Sequence, residues 1–513
     1  MNLDLIQQPF LDKFPGDDSY NPMQRQTPEY LYCLVKPERF SEMEVLHYNV
    51  SLGQEIGLGM IEDREDELFL GAQYFPDHIK LYSTAYAGHQ FGNWAGQLGD
   101  GRAINAGEIT YNDIKTELQW KGAGATPYSR HADGRAVLRS SIREYLMSEA
   151  MFHLNIPTTR ALSLVKSGED VMRDMLYNGN PAFEDGAIVV RTGESFLRFG
   201  HFELLAARGQ DEVLKNLIDY TITRYFPEIN SVGKQKYLDW LEAVSNRTIN
   251  MVVGWFRTGF VHGVMNTDNM SILGLTIDYG PFSFLDEYSL DFTPNTTDLP
   301  GRRYAFGRQG KIAQWNLWQL ANAVYPIIKD EEALQNILNS FSENFWLKHD
   351  QMLAEKFGFD KVIKSDEEFF SNWQTLMQDL SLDYTLFFQY LEKLVANELV
   401  ELPIQDFSYK LITLEDQKRF SEFIMKYRLR LKENTFTVNN ALSLMQKSNP
   451  KFILRNYLLY ECIEEVKLGK MELFNKLWEA IQNPYVIKYP EFNVMRPTKF
   501  NSQPGCSTLS CSS

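Results

Sequence analysis

One segment of the sequence, His262 to Gly280, combines residue types that suit the binding of a phosphorylated ligand. It contains Asn269 and, nine residues later, Asp278. An amide oxygen and a carboxylate are hard oxygen ligands, which Mg²⁺ accepts together with phosphate oxygens. The segment therefore predicts a metal site formed by Asn269 and Asp278.

The same segment matches the HGDxxxxN and IDFG pattern of catalytic loops in small-molecule and atypical kinases. Where that pattern has its catalytic aspartate, this chain has Val264, whose side chain accepts no proton. Asp268, directly before Asn269, is the nearest carboxylate that can replace it. Either the site is inert or its chemistry has moved along the loop; a turn without chemistry is the simpler alternative.

A lysine and a glutamate upstream have the arrangement of a kinase small lobe. The strand-like run Glu117 to Lys121 ends in a lysine, and Glu144 follows twenty-three residues later in a predicted helix from Val137 to Leu154. In kinases a strand lysine reaches the phosphates and a helix glutamate orients it. Such residues are common, so the pair gains weight from the glycine-rich segment before it.

That segment, Gly88 to Arg102, has glycines at positions 92, 96, 99 and 101. Glycine lets the backbone approach phosphate oxygens closely. The spacing matches neither GxGxxG nor GxxxxGK[ST], which leaves a plain turn as the alternative. Arg102 at its end favours phosphate binding, because a guanidinium suits phosphate oxygens.

Two further segments bring groups that bind anions. Asp133 and Gly134 stand before the predicted helix, where backbone N–H groups face outward. Arg191 and Arg198 stand seven residues apart around a turn. Two fixed guanidiniums here make sense if a triphosphate runs in the direction opposite to that in kinases; surface salt bridges are the alternative.

The elements that must position these residues change in character along the chain. Residues 1 to about 80 mix short apolar runs, prolines and acidic clusters, and the next part includes strand-like runs at 114–120 and 187–191. The predicted fold class is α+β, with a strand-rich part, a helix-rich part after about residue 205 and a ligand cleft between them. Amphipathic patterns predict helices over 211–225, 234–260, 312–328, 331–357, 367–380, 414–431 and 451–468.

Composition bounds the class of protein. Hydrophobic residues make up 44% and charged residues 23% of the 513 residues, as in ordinary globular proteins. A net charge of −16 argues against a broad nucleic-acid surface, and no apolar run has the length of a membrane span. The acidic N-terminus resembles no secretory or mitochondrial targeting segment, which predicts a cytoplasmic protein. The four cysteines include no CxxC pair, which argues against structural zinc.

Together these segments resemble the selenoprotein O family of YdiU-like pseudokinases. The resemblance runs from about residue 40 to the C-terminus, and the stretches 86–102, 117–143, 191–203, 262–286 and 292–298 carry it. It implies a protein-kinase-like two-lobed fold with a mixed α/β N-lobe and a mainly helical C-lobe. It also implies a protein adenylyltransferase that binds inverted ATP with Mg²⁺ or Mn²⁺, transfers AMP to Ser, Thr or Tyr hydroxyls of proteins and releases pyrophosphate.

The resemblance implies roles for individual residues as well. Asp268 is the implied proton acceptor, and Lys121 with Glu144 completes the catalytic set. Asn269 and Asp278 are the implied metal ligands. The implied nucleotide-binding residues are Gly99, Gly101, Arg102, Lys121, Asp133, Gly134, Arg191, Arg198 and Asp278.

The expected organisation has four parts and the expected oligomeric state is a monomer. The parts are an N-terminal extension packed on the core (1–80), an N-lobe (81–204), a helical C-lobe (205–495) and a flexible tail (496–513). Eukaryotic family members carry selenocysteine third from the end, where this chain has Cys511, and their companion cysteine is replaced by Thr508. This argues against redox control through the tail but leaves a Cys506–Cys511 pair open.

Three functions stay open on sequence grounds. AMP transfer to proteins is the leading hypothesis, and an inert ATP-binding scaffold would bind nucleotide without turnover. A kinase that uses Asp268 as its base is the third, and Val264 counts against it. The sequence does not identify the residues that would distinguish adenine from uracil in the nucleotide. UMP transfer from UTP with Mn²⁺ is therefore a further alternative.

Overall fold

A computed structural model describes residues 1–175, 179–506 and 508–510 and shows a mixed α+β protein. The strands are β1 Ile6–Gln7, β2 Gly16–Asp17, β3 Tyr32–Leu34, β4 Glu44–Tyr48, β5 Tyr82–Thr84, β6 Ala87–Gln90, β7 Asn93–Gln97, β8 Ala103–Tyr111, β9 Ile114–Lys121, β10 Ala136–Val137, β11 Arg160–Arg173, β12 Ala182–Gly193, β13 Phe260–Val261 and β14 Ser283–Phe284. The α-helices are α1 Pro9–Lys13, α2 Val50–Glu55, α3 Arg64–Leu70, α4 Leu138–His153, α5 Phe199–Ala207, α6 Asp211–Tyr225, α7 Lys234–Thr258, α8 Gln309–Ile328, α9 Glu331–Phe357, α10 Asp366–Asp379, α11 Tyr384–Val395, α12 Leu414–Leu431, α13 Val438–Ser448, α14 Asn456–Lys467 and α15 Glu472–Ile481.

One large sheet holds ten of the described strands. Its order is β2-β3-β5-β8-β9-β12-β11-β4, with β1 beside β8 and β10 beside β12. The neighbours pair antiparallel except β2 and β3, which run parallel. Strands from the first 80 residues form both edges of the sheet, so this part of the chain contributes to the sheet itself.

The two faces of the sheet pack against different cores. Along β12, Ala187 and Val189 join the main core with α4 and the helical part, whereas Ile188 and Val190 join a second core with the N-terminal helices. Side chains alternate along a strand. Arg191 therefore lies on the α4 side, like Lys121 across from Val189 in the register with β9.

Helix α4, which carries Glu144, is buried along most of its length because it lies between the sheet and the helical part. Arg143 on this helix is 1% exposed and donates hydrogen bonds to the carbonyl of Phe282 at 2.9 Å and to the amide oxygen of Asn456 at 3.2 Å. Glu149, one and a half turns later, pairs with Arg160 of β11 at 2.7 Å. The helix is thus fixed from both sides.

The helical part agrees closely with the predicted ranges. Helices α6, α9 and α12 have the predicted bounds, and α7 ends two residues early because Gly259, at φ +78°, terminates it. The prediction over 451–468 is wrong in its first turn: α14 begins at Asn456, and Phe452 to Leu454 are buried but not helical. Helices α5, α11, α13 and α15 are additional to the predicted set.

The glycine-rich segment divides into two pieces. Residues 87–97 form a hairpin of β6 and β7, and residues 98–102 lead into β8. The glycine pattern predicts one phosphate-binding loop over the whole segment. The hairpin, however, contacts the loop around Asp268 through His89 and Gln90. Among the described residues, no helix is long and apolar enough to cross a bilayer.

Candidate active site

A cavity of about 660 Å³ lies between the sheet and the loop that contains Asp268 and Asp278. Seven arginines and lysines line it together with four aspartates, so the cavity is cationic although the chain as a whole is acidic. Glu144 is the one predicted site residue outside the lining and lies behind Lys121. The predicted residues in the lining are Gly99, Gly101, Arg102, Lys121, Asp133, Gly134, Arg191, Arg198, Asp268, Asn269 and Asp278.

The predicted pairing of Lys121 with Glu144 is confirmed, at 2.7 Å between Nζ and Oε2. Burial lowers the pKa of Lys121 to about 8, and Glu144 opposes this decrease. The pKa of Glu144 is held below its ordinary value because Lys121 and Arg191 outweigh the effect of burial. Lys121, the last residue of β9, is therefore buried and held at the cavity by the carboxylate of Glu144 on α4, as the spacing predicts.

Asp278 lies where three cations converge. Its carboxylate accepts from Arg191 at 2.6 Å and from Arg198, and Lys121 Nζ lies 3.7 Å away. Burial alone would raise the pKa of Asp278, but the two arginines and the lysine hold it well below its ordinary value. The residue has φ +56°, a left-handed conformation that non-glycine residues adopt rarely and often at functional sites.

The two arginines are held in place by further contacts. Arg191 also donates to Glu144 at 2.9 Å and to the amide oxygen of Gln119, its neighbour on β9. Arg198 donates to the backbone carbonyl of Asp268 at 2.8 Å, and its guanidinium lies 4.7 Å from the ring centre of Tyr86. Both arginines are 2% exposed, so the alternative of solvent-exposed surface salt bridges is wrong.

Asp268 lies in a short 3₁₀ turn, Thr267–Asn269, and is 7% exposed. Oδ2 accepts a hydrogen bond from Gln90 of the hairpin at 3.1 Å, whereas Oδ1 is buried and has no hydrogen-bond partner in the described part of the chain. Burial raises the pKa of Asp268 to about 6. Such a carboxylate is ionised at neutral pH and retains one oxygen that can take a proton.

The donor set suits a divalent cation shared with phosphates. The amide nitrogen of Asn269 donates to the Val264 carbonyl at 2.9 Å, which leaves its Oδ1 as the atom for a ligand. Asp278 supplies a carboxylate in the same cavity. Within the described ranges, no cluster of three or more His, Cys, Asp or Glu forms a complete metal site. Two protein oxygens with the rest from phosphates and water is the usual arrangement for Mg²⁺ in nucleotide sites.

Two glycines lie where a side chain would not fit. Gly99 has φ +149°, and a Cβ there would lie 2.5 Å from the Tyr128 ring. Gly134 has φ +73°, and a Cβ there would lie 2.2 Å from the carbonyl oxygen of Gly124. Both positions line the cavity and require glycine because of these contacts and their positive φ. Asp133, beside Gly134, pairs with Arg173 at 2.7 Å.

The sequence of this chain was compared with known proteins. The profile of the family described as "Protein adenylyltransferase SelO" matches residues 17–482. The chain belongs to the SelO family. It is 47% identical to "Protein nucleotidyltransferase YdiU" of Cytophaga hutchinsonii over 506 residues, which cover 98% of each chain. The proteins of the same name from Flavobacterium johnsoniae and an Azoarcus species are 43% and 44% identical, again over 98% of each chain.

Membership of the SelO family identifies the chain as an enzyme of the nucleotidyltransferase class. The seven cations in the cavity lining have the charge that suits a phosphorylated ligand. Sequence reasoning did not single out Gln90 and Gln119, although Gln90 belongs to the glycine-rich segment and Gln119 to the lysine strand. Their partners lie 178 and 72 residues away, a pairing that local spacing does not indicate.

The described part of the C-terminal tail of this SelO-family chain packs against the segment around Pro294 and Thr296. Leu509 is 1% exposed; its carbonyl accepts from Thr296 N at 2.8 Å, and its N–H donates to the carbonyl of Pro294 at 3.3 Å. Cys506 is 3% exposed, and burial raises its pKa to about 12. Cys511 lies outside the described residues, so the Cys506–Cys511 pair and the flexibility of the tail stay predictions.

Proposed function

We propose that this protein transfers AMP from ATP to the side-chain hydroxyls of serine, threonine or tyrosine in other proteins. The observation that supports this best is the Oδ1 atom of Asp268. It is a buried carboxylate oxygen without a partner among the described residues, on the wall of a cavity lined by seven cations. A nucleotide triphosphate fits the charge of the cavity, and a hydroxyl fits the unpaired oxygen.

The proposed reaction is one displacement at the α-phosphorus. The hydroxyl oxygen of the protein substrate bonds to the α-phosphorus while Asp268 takes the hydroxyl proton. The bond between the α-phosphorus and its bridging oxygen to the β-phosphorus breaks, and pyrophosphate leaves. Lys121, Arg191 and Arg198 offset the charge that develops on the phosphate oxygens, because all three are buried and directed to one point at Asp278.

Asn269 and Asp278 would hold a divalent cation, Mg²⁺ or Mn²⁺, at the proposed site. Bound there, the cation would neutralise negative charge on the phosphates. Arg191 and Arg198 must move away from Asp278 when the nucleotide binds, because both contact the carboxylate that would hold the cation. We infer that the guanidiniums then bind phosphate oxygens, which keeps them paired.

The proposed orientation of ATP is inverted relative to kinases. Val264 occupies the position of the usual kinase base, whereas Asp268 lies one residue from the metal-binding Asn269, so the attacked phosphorus is expected to differ from the γ-phosphorus. We also propose that the sheet and α4 form the N-lobe, and the helices from α5 onward the C-lobe, of a kinase-like fold. The position of the cavity beside the Lys121–Glu144 pair and below the sheet supports this assignment.

The test uses the full chain, Mg²⁺, a mixture of candidate protein substrates and ATP that carries its label on the α- or the γ-phosphate. Label on protein from α-labelled ATP alone is the expected result. Asp268→Asn should abolish it, and Asp113→Asn, an exposed aspartate in the β8–β9 turn, is the matched control that should retain it. Label from γ-labelled ATP alone would identify a kinase, and no label with retained ATP binding would identify a scaffold. Repeating the assay with UTP and Mn²⁺ compares AMP with UMP transfer.

A further inference from the structure

The segment between Asp298 and Asp330 is basic in an acidic protein. It contains three arginines and two lysines and no acidic residue, in a chain with 67 acidic and 51 basic residues. Four of these cations, Arg302, Arg303, Arg308 and Lys311, occur within ten residues around the start of α8. Arg302, Arg308 and Lys311 are exposed. This local excess of positive charge contrasts with the net charge of −16 of the chain.

The basic segment is attached directly to the loop that carries Asp268. Asp298 accepts from the backbone N–H groups of Arg303 at 3.0 Å and Tyr304 at 2.7 Å. The Tyr304 hydroxyl donates to the amide oxygen of Asn266 at 2.6 Å and accepts from Phe91 N at 3.1 Å. Asn266 precedes Asp268 by two residues. These hydrogen bonds hold the backbone at Arg303 and Tyr304 against the loop that carries Asp268.

Arg303 also contacts the tip of the β6–β7 hairpin. A Cβ on Gly92 would lie 3.2 Å from its guanidinium carbon. Gly92 stands two residues after Gln90, which donates to Asp268. The hairpin turn thus lies between Arg303 and Asp268, which would take the proton of the substrate hydroxyl.

The guanidinium of Arg303 is stacked but has unused donors. It lies 4.5 Å from the ring centre of Trp315, and its Nε and Nη2 atoms are buried without hydrogen-bond partners among the residues that the structure describes. The ring of Trp315 contacts His89, which contacts Trp94, and Trp94 is 45% exposed. Stacked arginine and exposed tryptophan are the residue types that dominate protein–protein binding energies.

We propose that Arg303, Trp315 and Trp94 form the docking surface for the protein substrate, and that this surface selects segments with aspartate or glutamate close to the target hydroxyl. Arg302, Arg308 and Lys311 are exposed cations of the same basic segment and favour the same partner by charge complementarity. Arg302 lies 3.7 Å from Asp291, an exposed pair that a substrate carboxylate can replace at little cost. The proposal deepens the proposed function, because it names the kind of protein that brings the hydroxyl to Asp268.

The test measures binding separately from transfer. Two fluorescent 15-residue peptides carry one serine flanked either by glutamates or by glutamines within five residues. Each is titrated with the full chain, Mg²⁺ and an ATP analogue that has a methylene bridge between the α- and β-phosphates. We expect the glutamate peptide to bind at least tenfold more tightly than the glutamine peptide. Equal binding of the two peptides would overturn the proposal.

Variants then assign the preference to this surface. Arg303→Gln should reduce the preference for glutamate about tenfold without changing affinity for the ATP analogue. Lys311→Glu, at an exposed position, should reduce it as well and carries little risk of misfolding. Arg428→Gln, an exposed arginine on α12, is the control and should keep it. An unchanged preference in both Arg303→Gln and Lys311→Glu would overturn the assignment.

Two further outcomes separate the alternatives. A single-stranded oligonucleotide of equal charge that binds as tightly as the glutamate peptide, and competes with it, would overturn the assignment to a protein partner. If the glutamate peptide binds with the expected preference but receives no AMP from ATP, the docking surface stands and the proposed transfer to peptides of this kind fails.

Discussion

At Asp268 the geometry that suits a base also destabilises the fold. The pKa of this buried carboxyl is about 6 instead of 3.8, so its ionisation at neutral pH opposes folding by about 3 kcal/mol at most. The sign follows from the raised pKa: the contribution of Asp268 to folding is most favourable below about pH 4, and this contribution is lost as the pH rises through about 6. Function at neutral pH therefore costs stability at this residue.

Asp268→Asn should therefore inactivate and stabilise the protein at once. We expect AMP transfer to fall at least about 100-fold, because the proton acceptor is lost, and the free energy of unfolding at pH 7.5 to rise by about 1–3 kcal/mol. Transfer assays and denaturant titration measure the two effects, with Asp113→Asn as the control. A variant that is less stable than the wild type would contradict this account of the Asp268 environment.

Gln90 is expected to set the pH dependence through its hydrogen bond to Asp268. Its amide donates to the ionised form and lowers the pKa that burial raises. In the wild type kcat/KM should rise with pH through about 6. In Gln90→Leu this rise should move to higher pH while affinity for ATP is unchanged. Asn93→Leu, at an exposed hairpin position, is the control; a pH profile that moves equally in both variants would make Gln90 merely structural.

At the scale of elements, the pair that the sequence predicts, Lys121 with Glu144, has the kinase arrangement of a strand lysine and a helix glutamate. Strand alternation places Lys121 on the α4 side, and the position of Glu144 on a helix that packs there brings the two together. Gln119 and Arg191 meet through the register of β9 and β12, which the sequence does not specify. The contact of Gln90 with Asp268 needs the hairpin to fold onto a loop 178 residues away, so only the structure shows it.

The turn between β12 and α5 depends on Glu117 of β9. Its carboxylate accepts from Ser195 Oγ at 3.0 Å and Phe196 N at 2.8 Å, and the turn separates Arg191 from Arg198. Glu117→Ala should raise the KM for ATP about tenfold, a loss of about 1.4 kcal/mol in binding, because the two guanidiniums are no longer held in register. Steady-state kinetics with Lys115→Ala as the same-strand control measures this. An unchanged KM would show that the arginines need no support from β9.

At the scale of the whole molecule, the active site joins parts of the chain that fold as different structures. Lys121 and Arg191 come from the sheet, whereas Asp268 and Asp278 come from the loop after α7. The basic residues before α8 and the hairpin after β5 meet at the same loop. A change in the packing of either part is thus expected to alter the position of the candidate base relative to the phosphates.

The C-terminal tail also contacts the segment that packs against the catalytic loop. Leu509 pairs with the backbone at Pro294 and Thr296, and the side chain of the intervening Asn295 donates to the Gly263 carbonyl at 3.2 Å, beside Val264. Leu509→Ala should cost about 2–4 kcal/mol of stability, since the side chain is 1% exposed, and should reduce kcat more than affinity for ATP. Leu411→Ala, at an 88% exposed leucine, is the matched control. Unfolding titrations and kinetics measure both effects. Equal stability of the two variants would show that the tail contributes no packing, and an unchanged kcat in a destabilised Leu509→Ala would show that its packing is not transmitted to the catalytic loop.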